Sequence, residues 1–232
     1  MKGYIVLSHD DNPTYSQFRP ITEWCWQQIG WQPITLVPPD NIGIRSASYA
    51  QIMRLWGWKQ VVHFDPKGIV MTGDIDMIPL SDYWQPKADE VTIYGHDLTG
   101  RGHVPICYIA MSAEKWSEIV HPTLGRGIQS QPKLHSDKWE EWWQVDQDYI
   151  TERLKAYGYN RCTFIDRGLE RTGMPLGRVD RYNWNNPVTC KIDSHMLRPL
   201  TDGNNFERVY NLIESTFGTS ASWMKDYYNR IK

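Results

Sequence analysis

Two aspartates spaced two residues apart, Asp74 and Asp76, follow an apolar run in the segment Gly68-Ile-Val-Met-Thr-Gly-Asp-Ile-Asp-Met-Ile-Pro79. Burying both carboxylates unpaired is prohibitively costly, so the pair needs either a cation or a solvated turn. Open α/β sheets bind ligands at the carboxyl ends of their strands, and a divalent ion there, bridging Asp76 to a diphosphate, would stabilise both charges together. Asp146, Gln147 and Asp148 open a helical pattern that runs to Tyr157 and stops at Gly158. Acids at that position either cap and charge the first turn or face a reacting centre. Ser8, His9, Asp10 and Asn12 follow the first strand and suit hydrogen bonds to a base and ribose, or an ordinary Asx turn. His195, in His195-Met-Leu-Arg-Pro199, is either a metal-ligating imidazole or a plain surface or capped core histidine.

The elements that must position these residues alternate. Tyr4 to Leu7 is a short apolar strand closed by a polar turn, and from Pro20 the spacing Ile21, Trp24, Cys25, Gln28, Ile29 predicts a helix that ends before Gly30. Ile34 to Val37 is a second strand; Ser46 to Trp56 is a helix with Tyr49, Ile52, Met53 and Trp56 on one face and Gly57 as its stop. Val61 to Phe64 and Ile69 to Thr72 read as extended, as do Val91 to Tyr94 and Ile106 to Met111. Ala113 to Val120, Asp146 to Tyr157 and Asn204 to Phe217 read as helices, while 121–141 and 167–186 read as loops of the kind that form lids or bind ligands. Strands alternating with helices imply an α/β fold with a mostly parallel central sheet flanked by helices. One domain is expected across residues 1–232, in two parts over about 1–80, ending just past the paired aspartates, and about 81–232.

Composition excludes several classes. A net charge of −2 gives no basic field for nucleic acid. The apolar run at the start is too short for a signal peptide, and no segment reaches membrane-spanning length, so a soluble cytoplasmic protein is expected. Cys25, Cys107, Cys162 and Cys190 form no C-x-x-C pair, which argues against a zinc site or a disulfide scaffold. The 12 Trp and 13 Tyr against 5 Phe weight the aromatics towards rings that stack on a pyranose and hydrogen-bond its hydroxyls, although most of the Trp are expected in the core.

Together these segments resemble the GT-A glycosyltransferases. In that superfamily a helix carrying an Arg, often ending in Gly, precedes the D-x-D strand, and here Ser48 to Gly57 contains Arg54. In the retaining, galactosyltransferase-like or glycogenin-like branch, His9-Asp10-Asp11-Asn12 resembles the nucleotide loop and Asp146-Gln147-Asp148 the D-Q-D motif. His195 to Pro199 resembles the C-terminal metal-binding motif without its Gly, and Ile106 to Trp116 the strand and Trp of the acceptor side. The resemblance spans residues 4–199, with Gln51 in the register of a donor-contacting Arg, which leaves Arg45 or Arg54 to supply that charge.

The resemblance implies metal-dependent transfer of a sugar from a nucleotide-sugar donor, UDP favoured over GDP, to a glycan or other hydroxyl acceptor. Asp76 and His195 would bind Mn2+ or Mg2+, with Asp74 at the ribose and the second metal edge; an imidazole among carboxylates favours Mn2+. Ser8, His9, Asp10, Asn12, Arg45, Arg54 and Asp74 would hold the donor. Transfer passes through a cation-like anomeric carbon, so Asp146, Gln147 and Asp148 are the catalytic candidates, as base for inversion or as shield for retention. Trp139, Trp142 and Trp143 are candidates for stacking on a sugar, and His96, Asp97, Arg101 and His103 for the acceptor cleft. Two alternatives are a nucleotidyltransferase, whose Gly-rich basic loop after the first strand is absent here, and a non-catalytic carbohydrate-binding module.

Overall fold

The computed structural model describes residues 2–40, 43–87, 89–95, 102–120, 138, 143–169, 175–181, 183–184 and 191–232. The chain runs β1 (Gly3–Ser8), α1 (Pro13–Ser16), α2 (Arg19–Gln28), β2 (Trp31–Leu36), α3 (Ser46–Met53) and a 3-10 segment (Arg54–Gln60), then β3 (Ile69–Thr72), β4 (Met77–Pro79), β5 (Val91–Tyr94) and β6 (Ile109–Ser112). It continues with α4 (Ala113–Ile119), α5 (Val145–Tyr157), β7 (Cys162–Ile165), β8 (Arg178–Val179), β9 (Asp193–His195), α6 (Gly203–Phe217) and α7 (Trp223–Ile231).

β1 is apolar along most of its length because both faces are covered: Ile5 and Leu7 enter one core cluster, Tyr4 and Val6 the other. A six-stranded sheet is ordered β2-β1-β3-β6-β5-β7. Only β6 opposes the common direction, pairing antiparallel with both β3 and β5, so the sheet is mostly parallel, as the alternation of elements predicts. Residues of α2, α6 and α7 pack on one face, and those of α3, the 3-10 segment, α4 and α5 on the other. A second, three-stranded sheet, β4-β9-β8, joins the first of these layers, through Met77, Ile78 and Val179.

Three expectations are corrected. Val61 to Phe64 is a turn rather than a strand: Val61 N and Val62 N both donate to the Trp58 carbonyl at 2.9 Å, which continues the 3-10 winding. Gly57 does not stop the helix; it lies within the 3-10 segment, where a Cβ would stand 2.3 Å from Val6 Cγ1, so its role is close approach to β1. The strand expected from Ile106 starts at Ile109, because Tyr108 takes a positive φ of 82° and bends the chain ahead of it. Cys25, Cys107 and Cys162 are free thiols, whereas Cys190 lies outside the described residues. Among the described residues no helix is long and apolar enough to cross a membrane.

Candidate active site

Gly73 N donates to the Val6 carbonyl at 2.9 Å, so the chain leaves β3 alongside the end of β1. The next residues form a turn held from three sides. Thr22 of α2 donates its hydroxyl to the Ile75 carbonyl at 2.5 Å. Met77 N donates to the Asp74 carbonyl at 3.1 Å, and Met196 N to the Asp76 carbonyl at 2.9 Å. The Ile75 side chain is buried in the core, while Asp74 and Asp76 on either side of it line a cleft of about 400 Å3. The cleft is walled by the loop after β1, by α3 and Arg54 at the start of the 3-10 segment, by Pro105 to Cys107, by the start of α5 and by the end of the small sheet.

The loop after β1 is fixed locally. Ser8 donates its hydroxyl to the Ala50 carbonyl of α3 at 2.6 Å. His9 Nδ1 lies 2.8 Å from the Asp10 carbonyl. Asp10 Oδ1 accepts from Asn12 N at 3.2 Å, and Asn12 Oδ1 accepts from Thr14 N at 2.9 Å as the cap of α1. The Asx-turn reading thus accounts for these side-chain oxygens, and Ser8, His9, Asp10 and Asn12 nevertheless all line the cleft.

Arg54, buried, links two acids. It donates to Asp74, and through a second nitrogen to Asp146 Oδ2 at 2.5 Å. Burial pulls the Arg54 pKa down, but the carboxylates of Asp74 and Asp146 outweigh it and leave the guanidinium above its ordinary value. Asp146 is 1 % exposed, and burial raises its pKa even though Arg54 opposes the shift. Its Oδ1 accepts from Gln147 N at 2.8 Å within the first turn of α5.

The small sheet delivers the remaining groups. Antiparallel pairing sets Met77 opposite His195, and parallel pairing sets Val179 opposite Ser194. Asp76, Asp180, Arg181 and His195 therefore meet at one end of that sheet. His195 Nε2 lies 3.2 Å from Asp76 Oδ2 and Nδ1 lies 3.3 Å from Asp180 Oδ2. Arg181 donates to the same Asp76 Oδ2, and through Nε to the Met196 carbonyl at 2.9 Å. Burial pushes the His195 imidazole down, but its bonds to Asp180 and Asp76 prevail and lift it to about 9. Burial alone would raise Asp76; His195 and Arg181 instead hold it well below the usual carboxylate range.

Asp76 Oδ2 and His195 Nε2 are chemically suited to a divalent cation, and a carboxylate on the far ring nitrogen is the partner that metal-bound imidazoles carry. No group of three or more His, Cys, Asp or Glu able to hold a metal is gathered among the described residues. The fit is that of a site completed by ligand oxygens and water, the usual arrangement for ions held on substrate phosphates.

Of the other expected residues, Gln51 and Gln147 line the cleft; Arg45, exposed ahead of α3, and Asp148, whose Oδ1 lies 3.1 Å from His103 Nε2, are not among the lining residues. Trp116 is corrected from acceptor wall to core: it is 1 % exposed and donates its indole N–H to the Val70 carbonyl at 2.7 Å. Trp143, 44 % exposed, lines the cleft. Trp139, Trp142, His96, Asp97 and Arg101 lie outside the described residues. Asp180 and Arg181 carry no residue-level signal in the sequence, because they follow a two-residue strand inside the stretch 167–186, and Arg198 lies within the His195–Pro199 motif without a role of its own there.

No protein-family model and no curated protein sequence matches the chain. Among solved structures it is similar to a glycosyltransferase involved in glycosylation of the major capsid of PBCV-1, at 10 % identity and a TM-score of 0.52, covering 90 % of this chain and 98 % of that one. It is also similar to the galactosyltransferase LgtC, at 14 % identity and a TM-score of 0.45, over 96 % of this chain and 99 % of that one. A third is the glycosyltransferase GlyE of Streptococcus pneumoniae, at 13 % identity and a TM-score of 0.47, over 95 % of this chain and 64 % of that one. The similarity to the first is one of fold, and the fold is of the GT-A type that the sequence motifs resemble.

Proposed function

We propose that the protein is a metal-dependent glycosyltransferase that takes a sugar from a nucleotide-sugar donor, UDP favoured over GDP, and passes it to a hydroxyl of a glycan or other acceptor. The observation that carries this reading is convergence: Asp74, Asp76, Asp146, Gln147, His195 and the Ser8–Asn12 loop, from separate stretches of chain, line one cleft at the carboxyl ends of β1 and β3. In this reading the loop holds base and ribose, and Asp74 faces the ribose while remaining clamped to Arg54. Asp76 and His195 would hold Mn2+ or Mg2+, the imidazole favouring Mn2+, and such an ion would supply positive charge against the departing diphosphate. Arg198, on the same wall, adds a fixed positive charge.

Asp146 and Gln147 are assigned to the anomeric centre as alternatives: for retention the Gln147 amide oxygen would shield developing positive charge, and for inversion Asp146, whose pKa burial raises, would take the acceptor's proton. Asp148, turned towards His103, supports the start of α5 instead. Trp143 offers a half-exposed indole face to a pyranose.

Calorimetry with UDP and GDP in the presence of Mn2+ tests the reading. UDP should bind more tightly than GDP, and Asp76→Asn should weaken UDP binding by about tenfold or more. Unchanged UDP affinity in that variant discards the metal assignment. Release of free sugar from UDP-sugars with Mn2+ separates an enzyme from a carbohydrate-binding module, which leaves the donor intact.

A further inference from the structure

Asp76 Oδ2 carries two partners at once, the Arg181 guanidinium and His195 Nε2. A divalent ion placed against that oxygen would stand beside the Arg181 charge, an unfavourable neighbour for any dication. The same guanidinium is a ready partner for phosphate oxygens, which it binds by charge-assisted hydrogen bonds. Its backbone is well anchored. Asp180 N donates to Asn183 Oδ1 at 2.6 Å and Asn183 Nδ2 donates to the Arg178 carbonyl at 3.0 Å, so the turn bearing Arg181 is braced by its own side chains. The guanidinium Nε is tied to the Met196 carbonyl, yet the side chain keeps 19 % exposure and lines the cleft. A fixed base with a terminal nitrogen facing the cleft allows exchange of one anionic partner for another without refolding of the turn.

We propose that Arg181 binds the donor's diphosphate and, in its absence, occupies the carboxylate oxygen the divalent ion needs. Diphosphate entry draws the guanidinium off Asp76; the vacated oxygen and His195 Nε2, its proton given up to solvent, would then hold the ion, with phosphate oxygens supplying the missing ligands. Metal and diphosphate thereby bind cooperatively, and reciprocity requires each to tighten the other by the same factor. The inference rests on the nucleotide-sugar reading above, and it adds a residue and a binding order which that reading does not contain.

Calorimetric titration of the intact chain with MnCl2 alone, with inorganic pyrophosphate alone in EDTA, and with each in the presence of the other tests it. In the wild type, pyrophosphate should tighten Mn2+ binding by a factor within the roughly 5- to 150-fold range of allosteric couplings. Arg181→Met should weaken pyrophosphate binding in EDTA about tenfold, while strengthening binding of Mn2+ alone and reducing the coupling. Arg181→Lys, which keeps the charge without the fork, should recover part of the pyrophosphate affinity and serves as the check that loss in the Met variant is not misfolding. Mn2+ affinity that falls or stays unchanged in a folded Arg181→Met protein overturns the exchange, with the transferase reading intact. A wild type that binds neither pyrophosphate nor UDP with Mn2+ removes both.

Discussion

Arg54 sits between Asp74 and Asp146, and Cys107 lines the same cleft. The first residue shows how a buried acid keeps its place: Asp146 is 1 % exposed, and without a counter-charge its burial would be strongly unfavourable. The second shows what the surroundings do to a neutral nucleophile. Burial, with help from the Asp74 carboxylate, pushes the Cys107 thiol up to about 11. The sign follows directly: the unfolded thiol ionises first, so as pH rises from the ordinary thiol range towards 11 the folded state loses stability relative to the unfolded one. At pH 8 only about one thiol in a thousand is ionised at this position. Iodoacetamide should therefore label Cys107 in the native protein about 100-fold more slowly than in urea, with a rate that climbs steadily between pH 8 and 10. Mass-spectrometric quantification of the labelled peptide checks this, and comparable rates in both states would mean an open, ionised thiol.

At the scale of elements, the junction of α3 and the 3-10 segment decides how closely the cleft's back wall approaches the sheet. Gly57 allows Val6 to pack against the backbone, and Gly57→Ala would put a Cβ 2.3 Å from Val6 Cγ1. The backbone at Gly57 has no positive φ, so the cost is overpacking alone, about 1–3 kcal/mol. Urea denaturation should show that loss, and Val6→Ala in the same chain should return part of it; a Gly57→Ala protein of wild-type stability contradicts the packing role. This helix, its Arg and its glycine are legible in the sequence, but the glycine reads there as a terminator, because glycine after an apolar periodic run most often ends a helix. Only the neighbouring strand distinguishes the two uses. Val61 to Phe64 reads as a strand yet is a turn for a related reason: a short apolar run fits either equally well.

At the scale of the molecule, the large sheet carries the loop after β1 and the aspartate turn, while the small sheet brings His195, Asp180 and Arg181 to the same place. Asp193, fully buried, ties the two sheets together. Arg167, just past β7 of the large sheet, donates to its Oδ1 at 2.9 Å, and Arg178 of β8 donates to its Oδ2 at 2.7 Å. Burial would raise Asp193, but Arg178 and Arg167 hold it below the usual carboxylate value. A depressed carboxyl stabilises the fold above its unfolded pKa and loses that contribution as pH falls through the folded one. Asp193→Asn leaves two guanidinium groups without their carboxylate and should cost about 3–5 kcal/mol, a drop in melting temperature on the order of 10 °C. Scanning calorimetry at pH 7 checks the drop; the gap between variant and wild type should narrow below pH 4, and a full-sized gap at pH 3 would contradict the ionic origin.

By itself the amino-acid sequence determined the local features: the apolar runs of β1 and β3, the spacing of α2 and α5, the paired aspartates and the acidic start of α5. Each of these is a signal carried by residues within a turn or two of one another, where side-chain period and turn chemistry act. Tertiary structure decided which charges meet: Arg181 reaches Asp76 across 105 positions, and His195 does so across 119, a meeting that the family resemblance implies but no residue pattern dictates. Strands two or three residues long bring them together, too short to leave a period in the sequence, and their register is set by pairing with one another rather than by their own residues.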